Sequence, residues 1–151
     1  MSAFERFSDT WLPTLSTGAR VRFCHGAAPE DVLTHTAIGD TFVRAHGFDA
    51  IGVNWELLDP DAGSGAARSG LDEITRALSH KLTSPSQSWL EPNVARQCAE
   101  EFLGLFAPDH LTIISNRYDG LWNPIAGCAT EWGFVGFDRE NAALLLLTSE
   151  G

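Results

Sequence analysis

The stretch "TEWGFVGFDRENAALLLLT", residues 130–148, decides the fold, because it predicts two long apolar strands joined by a tight turn. The first strand covers Thr130–Phe137 and the second covers Ala142–Thr148. Between them, "DREN" has the length and composition of a four-residue hairpin turn. The sequence therefore predicts an antiparallel pair of strands here.

Bulky side chains occur on both faces of the first of these strands. Trp132 and Phe134 point one way, whereas Val135 and Phe137 point the other, because successive side chains of a strand alternate between faces. Both faces must then be covered by other parts of the chain. We therefore expect this strand to lie centrally in a sheet.

Three further segments have strand-like patterns. Leu111–Ser115 is a short apolar run that predicts a buried strand, and Val21–His25 alternates weakly. The segment "IGVNWEL", residues 51–57, alternates clearly and predicts a half-buried strand. Its apolar positions, which we expect to face the core, are Ile51, Val53, Trp55 and Leu57.

Two helices are predicted in the first third of the chain. Residues 4–15 predict a short helix that ends at Pro13. The second helix is predicted between Pro29, which suits a first turn, and Gly47, which suits the position just past a helix end. One side of this second segment is mainly apolar and contains Val32, Leu33, Thr36, Ala37 and Val43.

Two more helices are predicted in the middle of the chain. Ser69 followed by Asp72 resembles a capping box, and the helix after it has an apolar stripe of Leu71, Ile74, Leu78 and Leu82. The next helix is predicted to begin at Pro92 and to be ended by Pro108.

The order of these elements predicts the fold class. Runs of helix followed by runs of strand favour an α+β fold over a doubly wound one. We expect a single globular domain, residues 1–151, with a mostly antiparallel sheet packed by two to four helices. Its C-terminal strands form a three-strand meander.

Charge is the strongest signal in the composition, because 20 acidic residues face 10 basic ones and give a formal net charge of −10. Such a chain repels phosphate backbones and anionic lipid, so we expect no nucleic-acid or membrane partner. A basic protein is the partner that this charge favours. Solubility alone is the alternative explanation of the acidity.

Several features predict a cytoplasmic protein. The three cysteines contain no CxxC pair, which indicates a reducing compartment without a disulfide framework. The first residues lack the basic start and apolar run of a secretory signal. The longest apolar run is too short to span a bilayer.

A glycine-rich loop before the third helix invites two functional interpretations, and both fail. Gly63–Gly65 suggests a phosphate loop, but Arg68 stands where a dinucleotide fingerprint needs glycine. Asp59 and Asp61 suggest a calcium loop, but Gly70 replaces the glutamate that closes such a site. We therefore expect neither cofactor nor calcium here.

No local motif predicts a catalytic or metal site. The five histidines and three cysteines lack ligand spacing, so we expect no metal. No serine lies in a Gly-x-Ser-x-Gly elbow, and adjacent carboxylates such as Asp72 and Glu73 are interpreted as a solvated helix face. We expect no catalytic residues, although a site assembled from distant residues stays open.

The polar segment "NRYDGLWNP", residues 116–124, is the main candidate for a binding surface. Turn residues explain part of it, with Arg117 paired to Asp119, while tyrosine, tryptophan and arginine are the residues that dominate interfaces. The candidate binding residues are Asn116, Arg117, Tyr118, Asp119, Trp122 and Asn123, together with the acidic Asp59, Asp61, Asp72 and Glu73.

In size, charge, lack of a catalytic motif and the loop 117–122, the chain resembles small acidic immunity proteins that bacteria make against their own toxic effectors, especially nucleases. This resemblance is to a class and matches no family motif. It implies an inhibitor that binds a basic toxin through acidic side chains and aromatic anchors. The alternatives are a small enzyme or ligand-binding domain with a pocket near residues 116–124, in which Arg117 grips a carboxylate or phosphate, and a structural subunit of a larger assembly.

Overall fold

A computed structural model describes residues 1–60, 68–118 and 121–149. Its helices are α1 (Ala3–Leu15), α2 (His35–Ala45), α3 (Gly70–Ser79) and α4 (Pro92–Leu103), with a 3₁₀ helix at Pro108–His110. Its strands are β1 (Arg20–Ala27), β2 (Glu56–Leu58), β3 (Thr112–Ser115), β4 (Arg117–Tyr118), β5 (Leu121–Trp122), β6 (Thr130–Phe137) and β7 (Asn141–Ser149). None of the helices in these ranges has the length and apolarity that crossing a bilayer requires.

The main sheet has five strands in the order β1-β7-β6-β3-β2, and every neighbouring pair is antiparallel. Strands β3, β6 and β7 form the predicted meander, with the small hairpin β4–β5 inserted between β3 and β6. The prediction of an α+β fold with an antiparallel sheet is confirmed. So is the central position of β6.

Two apolar layers cover the two faces of the sheet. Helices α1, α3 and α4 pack on one face, where they bury Phe134, Leu145 and Leu147. Helix α2 packs on the other face, where Val135 and Leu144 are buried. The unbroken run of leucines in β7 follows from this arrangement, because alternate side chains enter different layers and both layers exclude water.

The "DREN" turn between β6 and β7 is closed by one carboxylate. Asp138 accepts hydrogen bonds from the backbone N–H groups of Glu140 (2.9 Å) and Asn141 (2.8 Å), and from that of Ala107 (2.8 Å). Burial raises the pKa of Asp138, but these three N–H groups lower it by more, so the net pKa lies below its ordinary value. The turn is thus also tied to the segment after α4.

Residues 51–57 do not form the predicted strand. Trp55 is fully buried, but Val53 and Leu57, which were expected on the same face, are 55% and 50% exposed. Only Glu56–Leu58 pairs with β3. The alternating pattern therefore gave a wrong prediction for most of the segment.

Asp40 on α2 explains why this segment leaves the sheet. Its carboxylate accepts the backbone N–H groups of Ile51 (2.8 Å) and Gly52 (3.1 Å) and the indole N–H of Trp55 (2.9 Å). The first two of these bonds use backbone donors that a strand could have offered to a neighbouring strand. The segment is held as a loop over α2 instead.

The predicted helix ends need three corrections. Helix α1 continues through Pro13 to Leu15, whose complete burial outweighs the hydrogen bond that proline cannot make. Helix α2 begins after Thr34, whose hydroxyl caps the N–H of Ala37, and not at Pro29. Helix α4 ends at Leu103, before Pro108 is reached.

The predicted starts of α3 and α4 are confirmed. The side chain of Ser69 caps α3 by accepting the N–H of Asp72 at 3.2 Å. Pro92 occupies the first turn of α4. The apolar stripe of α3 is buried as predicted, and Leu82, which lies beyond the end of the helix, is buried with it.

We predict that Gly136→Ala destabilises the fold by about 1–3 kcal/mol, because a methyl group there would lie 2.6 Å from Cε2 of the buried Phe106. Gly26→Ala, in β1 of the same sheet, is the matched control, since its methyl group would find its nearest neighbour at 3.7 Å. Chemical denaturation of the two variants and the wild type measures both effects. Equal stability of the two variants would contradict the close packing of β6 against Phe106.

Candidate functional site

Asn116 is buried and has a structural role, since only 1% of its surface is exposed. Its side chain donates to the carbonyl of Asn123 (3.1 Å) and accepts the N–H of Gly133 (2.7 Å), while its own carbonyl accepts the N–H of Asn123 (2.9 Å). One side chain therefore closes the hairpin β4–β5 and attaches it to β6. Asn116 was predicted to bind a partner, but its side chain is buried because it makes these hydrogen bonds within the protein.

Glu131, which sequence reasoning did not select, is a fully buried carboxylate on β6. It accepts the backbone N–H groups of Ile125 (2.8 Å), Ala126 (3.0 Å) and Cys128 (2.9 Å). Buried charges are tolerated when hydrogen bonds satisfy them in this way. A charged residue inside an apolar strand was the sequence signal that could have identified it.

Arg117 is held in place from three sides. Its Nε donates to the carbonyl of Glu131 at 2.8 Å, and its guanidinium carbon lies over the rings of Trp122 (5.0 Å) and Trp132 (4.3 Å). Burial lowers the pKa of Arg117 to about 10, with Glu73 opposing the shift, so the group stays charged at neutral pH. Its predicted pairing with Asp119 lies outside the described residues.

Beside Arg117 lies a cavity of about 620 Å³ between the hairpin, α3 and the loop that follows α3. Four of the chain's ten basic residues line it, namely Arg68, Arg76, Lys81 and Arg117, together with His80. Its apolar lining comes from Ala77, Leu82, Pro85 and Trp132, and the carboxylate among its described lining residues is that of Glu73. We call this cavity the arginine pocket.

Glu73 is the internal counterion of the pocket, and the prediction that it belongs to a solvated face is wrong. Only 4% of it is exposed, and its Oε1 lies 2.7 Å from Nη2 of Arg76 and 3.7 Å from Nε of Arg68. Its neighbour Asp72 is exposed, because adjacent positions on a helix point about 100° apart. Although Asp72 and Glu73 are adjacent in sequence, the first is exposed to solvent and the second is buried in the pocket.

The remaining contacts leave the pocket with excess positive charge. Arg68 donates to the carbonyl of Arg117 at 2.9 Å, which ties the start of α3 to the hairpin. Within the described part of the chain, Lys81 has no ion pair, and Arg117 has neither an ion pair nor a hydrogen bond from its terminal nitrogens. The described lining residues include four cations and one carboxylate, which together give a net charge of +3. Such a lining attracts anions.

The other predicted binding residues are dispersed. Tyr118 is 57% exposed and Trp122 and Asn123 are half-buried on the hairpin, whereas Asp59 is half-buried at the end of β2. Asp72 faces a second cavity of about 600 Å³, which shares Arg76 and His80 with the arginine pocket. Asp61, like Asp119, lies outside the described residues. Of the acidic candidates that the structure describes, Asp59, Asp72 and Glu73, it is Glu73 that lines the arginine pocket.

Two of the cysteines have raised pKa values, and the described residues form no metal-ligand group. Burial raises the pKa of Cys98 to about 12, with a further increase from Glu101, and burial also raises the pKa of Cys24. Thiols of this kind stay protonated and unreactive at neutral pH. Over residues 1–60, 68–118 and 121–149, no three His, Cys, Asp or Glu side chains are grouped as metal ligands.

Comparison of the chain with protein-family models, with curated proteins and with solved structures finds no match. The function is therefore argued from the site alone.

We predict that Glu131→Gln destabilises the protein by about 2–4 kcal/mol, because an amide presents an NH₂ group to backbone N–H groups that now bond a carboxylate. Glu140→Gln, at an exposed position in the turn after β6, is the control and should change stability by less than about 0.5 kcal/mol. Urea unfolding followed by tryptophan fluorescence measures both. A Glu131 variant as stable as the control would refute the anchoring role.

Proposed function

We propose that the protein is a ligand-binding domain that holds an organic anion in the arginine pocket. The observation that carries this proposal is the convergence of four of the ten basic residues on one cavity, in a chain whose net charge is −10. Scattered basic residues would need no functional explanation. Concentrated ones repel each other, and a bound anion relieves that repulsion.

The arginines are already ordered for this task. Arg117 is held by two indole rings and a carbonyl group, and Arg68 is held by a carbonyl group and Glu73. A ligand therefore loses little affinity to the ordering of these side chains. Guanidinium groups also match the paired oxygens of carboxylates and phosphates, which compact ammonium groups do not.

The described side chains of the pocket supply what anion binding needs. Anion binding needs only cations and an apolar wall, and the lining supplies both. A reaction would need in addition a free general base or a nucleophile. Among the described lining residues, the carboxylate of Glu73 is engaged by Arg76 at 2.7 Å, and His80 is the side chain that a catalytic role would have to use as a base.

A second candidate is an immunity or inhibitor protein that acts in the cytoplasm and neutralises a basic bacterial toxin, such as a nuclease. Tyr118 and Leu121, which are directly paired across the hairpin β4–β5, favour it because they are 57% and 74% exposed. Exposed apolar groups on a braced hairpin suit a protein interface. The acidic surface would then steer the basic partner toward the hairpin.

For the arginine pocket, we predict that Arg117→Met weakens binding of 2-naphthyl phosphate at least tenfold, because a charged hydrogen bond to the anion is lost. Lys81→Met, at an exposed position that does not threaten folding, should weaken it about threefold or more. Arg96→Met on α4, where Arg96 pairs with Glu100 outside the pocket lining, is the control. Isothermal titration calorimetry measures all three. Wild-type affinity in both pocket variants would exclude the pocket as the binding site.

For the inhibitor, we predict that the double substitution Tyr118→Ala and Leu121→Ala lowers the affinity for a basic protein partner at least tenfold. It should not lower the melting temperature, because both side chains are exposed. The partner is captured from the native host, identified by mass spectrometry, purified and tested by surface plasmon resonance. Its association should slow steeply with added salt. This candidate function would be excluded if added salt did not change the association rate of the partner and the double substitution did not change its affinity.

A further inference from the structure

We infer that the ligand of the arginine pocket is an amphiphilic organic anion: one carboxylate or phosphate-monoester head group on an apolar body. This inference rests on the proposed ligand-binding function and narrows it to one chemical class. Four properties of the pocket lead to it: its size, its apolar lining, the contrast between its charge and that of the rest of the chain, and the engagement of its cations.

The size of the cavity excludes a bare inorganic anion as a filling ligand. At about 30 Å³ for each water-sized group, a cavity of about 620 Å³ holds roughly twenty non-hydrogen atoms. Inorganic phosphate has five such atoms. A bare inorganic anion would therefore leave most of the cavity to water, whereas a ligand of about the cavity's size would bring a body along with its head group.

The lining determines what fills that space. Leu82 and Pro85 come from the loop after α3, Ala77 comes from α3 itself, and Trp132 comes from β6. These side chains offer no hydrogen bonds to a polar body, apart from the indole N–H, which is buried and has no partner in the described ranges. Burial of an apolar body against them is favourable in proportion to the area removed from water.

The surrounding charge excludes a long polyanion. Because the described lining residues carry +3 and the whole chain carries −10, all other residues together carry −13. A nucleic acid or polyphosphate would extend out of the pocket into this negative field. A ligand with its single charged group inside the pocket avoids that repulsion.

The engagement of the cations limits the ligand to one head group. Arg76 and Arg68 already share the carboxylate of Glu73. Among the described side chains, no carboxylate lies within ion-pair distance of Arg117 or Lys81, although Glu73 acts on Arg117 from further away, so these two cations are the groups that a head group would meet. A second head group would compete with Glu73 for the same two arginines.

A series of matched probes tests this inference by isothermal titration calorimetry on the full chain. The probes are 2-naphthyl phosphate and 2-naphthoate (head group and body), inorganic phosphate (head group alone), 2-naphthol (body alone) and a single-stranded oligonucleotide (polyanion). We expect at least one naphthyl anion to bind tenfold or more tightly than each of the other three. The tighter of the two naphthyl anions identifies the head group.

The other outcomes separate this inference from the proposed function. Inorganic phosphate as tight as both naphthyl anions would overturn the amphiphilic ligand but keep an anion site. If the oligonucleotide bound as tightly as both naphthyl anions, the amphiphilic ligand would be overturned and the ligand would be a polyanion. Naphthol as tight as both, or no binding by any probe to the folded protein, would overturn the inference and the proposed function together.

Two variants then place the bound probe in the pocket. Pro85→Ser, in the exposed loop after α3, should lower the affinity for the tighter-binding naphthyl anion at least twofold. The affinity for inorganic phosphate should not change, because the substitution removes apolar contact without removing charge. Lys81→Met should lower the affinity for both the naphthyl anion and inorganic phosphate, and the control Arg96→Met should change neither affinity. Unchanged naphthyl affinity in both pocket variants would place the probe elsewhere and overturn the inference.

Discussion

The contacts of Glu131 connect the centre of the sheet to the candidate site. Its buried carboxylate gathers three backbone N–H groups of the loop before β6, and its carbonyl accepts the Nε–H of Arg117. The next residue, Trp132, supplies a ring beneath the same guanidinium. Two consecutive residues of the central strand thus position the side chain on which the pocket depends, and a buried charge is retained there because backbone donors satisfy it.

Much of the fold could be predicted from sequence, because its strongest constraints are local. The strands of residues 130–148 show long apolar runs that only a doubly covered strand carries, and the cap at Ser69 is a short-range hydrogen bond. Residues 51–57 were predicted wrongly because their conformation depends on Asp40, which lies on another element. A pattern of alternating side chains contains no information about a remote hydrogen-bond acceptor.

The candidate site was predictable only in part. Arg117 could be singled out from the unusual composition of its own segment, but Arg68, Arg76 and Lys81 reach the same cavity only after α3 packs beside the hairpin. Net charge did not predict the local charge of this cavity. A formal charge of −10 describes the field far from the molecule, whereas a ligand in the pocket meets a lining of +3.

The hydrogen bond from Arg68 to the carbonyl of Arg117 has a thermodynamic consequence. It joins the lining of the pocket to the hairpin that exposes Tyr118, so a ligand that shifts Arg68 also acts on the backbone of β4. Any free-energy coupling between an anion in the pocket and a protein on the hairpin must be reciprocal: each changes the affinity of the other by the same factor. Were both surfaces to bind partners, this hydrogen bond is the contact through which the occupancy of one would change the affinity of the other.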